Sequence, residues 1–132
     1  MSYRIGRVKN PSRKPTDGEL AILRVLWARG PSTVRQVAEA LERDTGYTTA
    51  LKLLQIMTEK GLVRRDETSR THIYDAASTE DQTQRTLVSD LLNRAFGGSA
   101  AKLVLQALAT NKTSPEELAE IRRLLDRKRG AR

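Results

Sequence analysis

One change of apolar period, near residue 62, constrains this chain more than anything else: three helical stretches precede it and two short β-prone runs follow. Thr16-Asp17-Gly18-Glu19 is a capping box, in which the threonine hydroxyl accepts the amide three residues on and the glutamate accepts the threonine amide. Leu20, Leu23, Val25, Leu26 and Trp27 then fit one helical face, which Gly30-Pro31 ends. Thr33-Val34-Arg35-Gln36 is a second capping box, opening a helix with Val34, Val37, Ala38 and Leu41 inward. Arg43-Asp44-Thr45-Gly46 reads as a turn. A third helix is predicted from Tyr47 to Lys60, with Ala50, Leu53, Leu54 and Met57 on its inner stripe and Gly61 as a left-handed stop. Leu62-Val63-Arg64-Arg65 and Thr71-His72-Ile73-Tyr74 then read as two strands of a hairpin, joined by the polar connection 66–70. Three helices closed by a hairpin are the winged form of the helix-turn-helix.

The helical period returns after the hairpin. Ser78-Thr79 caps a long helix predicted over residues 80–96, with Leu87, Leu91, Leu92 and Phe96 at helical spacing, and Gly97-Gly98 ends it. Ser99 opens a shorter helix bearing Leu103, Val104 and Leu108. Ser114-Pro115-Glu116-Glu117 joins a cap, a first-turn proline and first-turn acids, and the helix it opens carries Leu118, Ile121, Leu124 and Leu125. These three helices have too little apolar volume for a core of their own, so a second copy is expected to cover them. The expected dimer interface is Leu87, Leu91, Leu92, Phe96, Leu103, Leu108, Ile121, Leu124 and Leu125. The alternative is that they fold back on the N-terminal domain. The expected architecture is mainly α with a small β-hairpin wing. A basic flexible arm covers 1–14, a winged helix-turn-helix 15–77 and a three-helix dimerisation domain 78–128.

Charge narrows the partners. Lysine and arginine outnumber aspartate and glutamate 24 to 16, giving +8 and a polyanion as the expected partner. Residues 1–14 hold Arg4, Arg7, Lys9, Arg13 and Lys14 with no acid, an arm that suits a phosphate backbone or a minor groove unless it is only a solvated tail. The C-terminal Arg127, Lys128, Arg129 and Arg132 read as helix-end charge that the helix dipole favours. With no cysteine and the single His72, disulfides, thiolate catalysis, thiolate zinc and a multi-histidine metal centre are excluded. No glycine-rich phosphate loop or nucleophile elbow is present, so neither an enzyme nor a cofactor is expected, and His72 reads as a strand residue of the wing. No run approaches the ~20 apolar residues of a membrane span, since Arg24 and Lys52 interrupt the most apolar segments, and a cytoplasmic protein is expected.

In a helix-turn-helix the second helix of the pair enters the major groove. With Ala50, Leu53, Leu54 and Met57 inward, the third helix turns Thr48, Thr49, Lys52, Gln55 and Glu59 outward. Threonine can address a thymine methyl or a phosphate, glutamine an adenine, lysine a guanine or a phosphate. The threonines could instead be caps, and Tyr47 suits either a phosphate contact or a packing role. Arg64, Arg65 and Arg70 on the wing, with Arg35 on the second helix, suit phosphate contacts, or are solvated charge only.

The chain also resembles a known family. Thr16-Asp17-Gly18-Glu19-Leu20 with Val25-Leu26-Trp27, Gly46-Tyr47-Thr48-Thr49-Ala50, Glu59-Lys60-Gly61-Leu62-Val63, Leu92-Asn93-Arg94-Ala95-Phe96-Gly97-Gly98-Ser99 and Leu103-Val104-Leu105 together resemble the penicillinase-repressor group (BlaI, MecI, CopY) over roughly residues 15–127. The resemblance implies a homodimeric transcriptional repressor on a palindromic double-stranded DNA operator, with the C-terminal helices interlocking the dimer. It also implies relief by a signal acting on the dimer, either copper or a regulatory protease triggered by a membrane β-lactam sensor. The copper-responsive branch carries a C-terminal cysteine cluster, and this chain has none. In the cleaved branch an asparagine–phenylalanine bond follows the Leu-Val-Leu segment, where this chain has Gln106-Ala107. A non-specific nucleic-acid-binding or chromosome-organising protein is the alternative that the charge permits, and a protein-interaction adaptor with no nucleic-acid role is another.

Overall fold

The computed structural model describes residues 3–5, 14–41 and 45–130. In chain order the elements are β1 (Tyr3–Ile5), α1 (Asp17–Arg29), α2 (Val34–Ala40), α3 (Tyr47–Lys60), β2 (Val63–Asp66), β3 (Ile73–Ala76), α4 (Glu80–Ala95), α5 (Ala100–Thr110) and α6 (Pro115–Gly130). By proximity of their Cα atoms the residues fall into two compact units, Met1–Val88 and Ser89–Arg132.

The first unit starts its helices where the capping residues predict. Thr16 Oγ1 accepts the Glu19 amide at 3.2 Å and Glu19 Oε1 accepts the Thr16 amide at 2.9 Å; Thr33 and Gln36 repeat the pattern at 3.2 and 2.9 Å. Gly61 ends α3 at φ 81°, where its amide reaches the Met57 and Thr58 carbonyls and the Leu62 amide donates to Met57 O at 2.9 Å. A side chain at this left-handed position costs about 1–2 kcal/mol, so glycine sets the exit of the chain toward β2. The core is built from Ile22, Leu23 and Leu26 of α1, Val34 and Val37 of α2, Ala50, Leu54 and Met57 of α3, Val63 of β2 and Tyr74 of β3. Ile22 is wholly buried although the apolar face read from the sequence omitted it.

Glu19 is the other surprise of α1. It is 2% exposed, and besides closing the capping box it takes the Lys60 ammonium on both carboxylate oxygens, at 2.9 and 2.7 Å. This pair joins the start of α1 to the end of α3 across 41 residues. Trp27 makes a second long tie, its indole N–H donating to the Ser78 carbonyl at 2.9 Å.

The sheet differs from the expected two-stranded hairpin. β2 and β3 pair antiparallel, and β1 adds to the outer edge of β2, with Tyr3 opposite Asp66 and Ile5 opposite Arg64. An edge strand offers unpaired backbone groups whatever the side chains of the segment that pairs with it, so a stretch read from its charge as an arm can pair here. The other residues of the 1–13 segment lie outside the described residues, as do 42–44 of the predicted turn.

The strands also run later than expected. Leu62 belongs to the helix stop, and Asp66 ends β2 by accepting the Thr68 amide at 2.9 Å and the Thr68 hydroxyl at 2.7 Å. The far strand is set by a bridge between Ser32 and Tyr74, with N–H to O distances of 2.9 and 2.8 Å. His72 therefore precedes β3 and is not a strand residue.

Because the Thr68 hydrogen bonds favour the charged carboxylate, Asp66 is held below the usual carboxylate range. Its contribution to stability is present above that range and is lost as the pH falls through the lowered value. Asp66→Ala should lower the urea midpoint at neutral pH, and the difference from the parent should shrink on acidification. A difference that is constant with pH would contradict this role.

In the remaining helices, Thr79 caps α4 in a box with Gln82 at 3.0 and 2.9 Å, Ser99 caps α5 at 3.2 Å and Ser114 caps α6 at 3.0 Å. Gly97 and Gly98, at φ 57° and 81°, end α4, and the Gly98 amide donates to Leu92 O at 2.9 Å. Among the described residues, none on α4, α5 or α6 is buried. None of the described helices is long and apolar enough to cross a membrane.

Candidate nucleic-acid interface

The outward face of α3 is as the periodicity predicts. Ala50, Leu54 and Met57 are buried and Leu53 packs against them, so Thr48, Thr49, Lys52, Gln55 and Glu59 are exposed. Tyr47 is 51% exposed at the first turn. The two threonines are not caps: Gly46 occupies the N-cap position and makes no side-chain cap hydrogen bond. The other five described helices each carry a serine or threonine cap. A phosphate at such a helix start would meet the helix dipole in the favourable sense. Ile56, also exposed on this helix, was missed by the sequence reading, although its position one turn after Lys52 was a signal for it.

An open groove of about 480 Å³ lies beside the start of α3. Arg35 lines it from α2, Tyr47 and Leu51 from α3, and Arg70, Thr71 and His72 from the hairpin tip. The structure therefore brings together three of the residues singled out in the sequence, Arg35, Tyr47 and Arg70. It adds His72, which the sequence reading had assigned to a strand. Among the described residues, no carboxylate lines this groove.

Arg64 and Arg65 are elsewhere. Both lie in β2, within the run 62–65 that reads as a strand, and not at the tip. Arg64 Nη2 donates to the Ala76 carbonyl at 3.4 Å. Arg65 Nε donates to Glu67 Oε2 at 2.6 Å, and although burial opposes its charge, hydrogen bonds to Tyr74 and Glu67 outweigh that and raise its pKa. Of the three wing arginines, Arg70 is the one exposed at the tip.

The residues expected at a dimer interface divide by exposure. Leu91, Leu108, Leu124 and Leu125 are exposed, while Leu87, Leu92, Phe96, Leu103 and Ile121 are half-buried. Val88, Val104, Leu105 and Leu118 are exposed on the same helices.

Comparison with known proteins adds the family. A sequence profile described as penicillinase repressor matches residues 15–127. The chain is 34% identical over 112 residues to the transcriptional regulator BlaI of Mycobacterium tuberculosis (strain ATCC 25618 / H37Rv), spanning 83% of this chain and 80% of that protein. It is 23% identical over 113 residues to a penicillinase repressor of Bacillus licheniformis, spanning 84% and 88%. To the methicillin resistance regulatory protein MecI of Staphylococcus aureus (strain N315) it is 19% identical over 121 residues, spanning 90% and 98%.

Proposed function

The chain belongs to the penicillinase-repressor family, and on that premise we propose that it is a transcriptional repressor that binds a palindromic double-stranded DNA operator as a homodimer. The observation that carries this reading is the exposed face of α3, with Thr48, Thr49, Lys52 and Gln55 beside a groove lined by Arg35 and Arg70 and, among the described residues, by no acid. Residues 15–77 would read and grip the duplex, and residues 78–128 would dimerise. In this reading the side chains of α3 choose the sequence in the major groove. Arg35, Arg70 and the open start of α3 hold phosphates and supply the salt-sensitive part of the affinity.

The apolar side chains on α4 to α6 support dimerisation, since none of them is buried within one chain and Leu91, Leu105 and Leu125 are about half exposed or more. A homodimer holds two copies of α3 at two half-sites, so a signal that weakens the dimer uncouples two linked binding events and lowers occupancy. Cleavage in the C-terminal helices is one such signal, and at the position of the cleaved branch's asparagine–phenylalanine bond this chain departs from that pattern with Gln106-Ala107.

Binding to a duplex selected from a random-sequence pool, compared with a shuffled duplex at physiological salt, tests the reading. A preference of about a thousandfold or more is expected. A ratio near one would favour a non-specific nucleic-acid binder, which the net charge of +8 also suits. Within that experiment Lys52→Ala should weaken binding to the selected duplex and, if the ammonium reaches a base, relax the preference at one position by about 1–3 kcal/mol. Unchanged affinity would remove Lys52 from the interface.

A further inference from the structure

His72 is the single histidine of the chain, and it is exposed at the last position of the hairpin tip before β3 begins. We propose that His72 is a phosphate ligand of the wing groove whose protonation is coupled to DNA binding. The proposal rests on the groove's facing the phosphate backbone, and it assigns that surface a ligand and a dependence on pH.

The charged and titratable groups that line the groove with His72 are Arg35 from α2, Tyr47 from α3, Arg70 from the tip and Tyr74 from β3. Two of them are permanent cations, and among the described residues none is an acid. A phosphate held in the groove places a negative charge beside the imidazole and so favours its charged form. Histidine is the side chain whose charge changes between pH 5 and 8, so this coupling acts in the range where protons are exchanged. When binding increases protonation, lowering the pH must strengthen binding by the same coupling.

The test uses the full chain and a fluorescein-labelled duplex selected on it from a random pool, with anisotropy titrations at about pH 6 and about pH 8 and constant ionic strength. A dimer that carries two His72 should bind a duplex with two half-sites roughly 25- to 100-fold more tightly at the lower pH, about five- to tenfold for each histidine whose pKa shifts by up to about one unit on binding. His72→Gln should give the same weaker affinity at both values, and His72→Arg, with its fixed charge, the same tighter affinity at both. A parent whose affinity is flat with pH, or a His72→Gln variant that keeps the parent's slope, would overturn the proposal. Binding at neither pH would overturn the nucleic-acid reading and this assignment with it; tight but pH-independent binding would overturn this assignment alone.

Discussion

In the proposed homodimer, Leu91→Asp is expected to give a monomer at micromolar concentration, and Leu124→Asp to do the same. Both leucines are more than two-fifths exposed in the single chain, so neither substitution removes a contact that the chain needs for its own folding. A carboxylate at an apolar interface would instead have to be desolvated without a partner, a cost of several kcal/mol. The consequence for function is larger than the lost contact. Two linked half-site bindings become independent, and affinity for a duplex with two half-sites should fall by roughly 10²- to 10⁴-fold. Binding to a single half-site should hardly change. Sedimentation and parallel titrations on one- and two-half-site duplexes measure both effects; a variant that stays dimeric would show that the interface lies elsewhere.

Lys60→Met is expected to cost about 3–5 kcal/mol of stability, the penalty for leaving a buried charge without its partner. The Glu19 carboxylate is 2% exposed and the Lys60 side chain 16%, so water cannot replace the lost ammonium as it does at the surface. For a unit of this size the loss corresponds to a fall in melting temperature of more than about 10 °C. Adding Glu19→Gln to Lys60→Met removes the uncompensated charge and keeps an acceptor for the Thr16 amide, so the double variant should recover more than half of the loss. Thermal and urea unfolding read the effect directly. A loss below about 1 kcal/mol for Lys60→Met would mean that the pair behaves as a surface ion pair.

The contrast between these two predictions marks what the sequence carries openly. Helix starts were legible because their signals are local: Thr16, Thr33, Ser99 and Ser114 each act on an amide three residues away. The outward face of α3 was legible for the same reason, since Ala50, Leu54 and Met57 fix one side of a regular helix and thereby define the other. Glu19 shows the limit. As a capping residue it could be read from Thr16, but its burial against Lys60 joins residues 41 apart and leaves no local trace. The wing was misjudged for a related reason. Its strand limits depend on the Ser32–Tyr74 bridge and on the Asp66–Thr68 turn, and a shift of one or two positions moves His72 from a strand to the tip. The groove that gathers Arg35, Tyr47, Arg70 and His72 draws on three separate parts of the chain, and only the tertiary fold makes it one surface.

The central claim is that two copies of α3 present the region around Thr49 to two major grooves of one duplex. Since the chain has no cysteine of its own, Thr49→Cys carries a photocrosslinker at one defined position, and the bases it labels on the selected duplex can be mapped to the nucleotide. Two mirror-related clusters of labelled bases are predicted, separated by about one helical turn or a small multiple of it. A single cluster, labels spread evenly along the duplex, or no labelling under conditions where the protein binds would contradict the account.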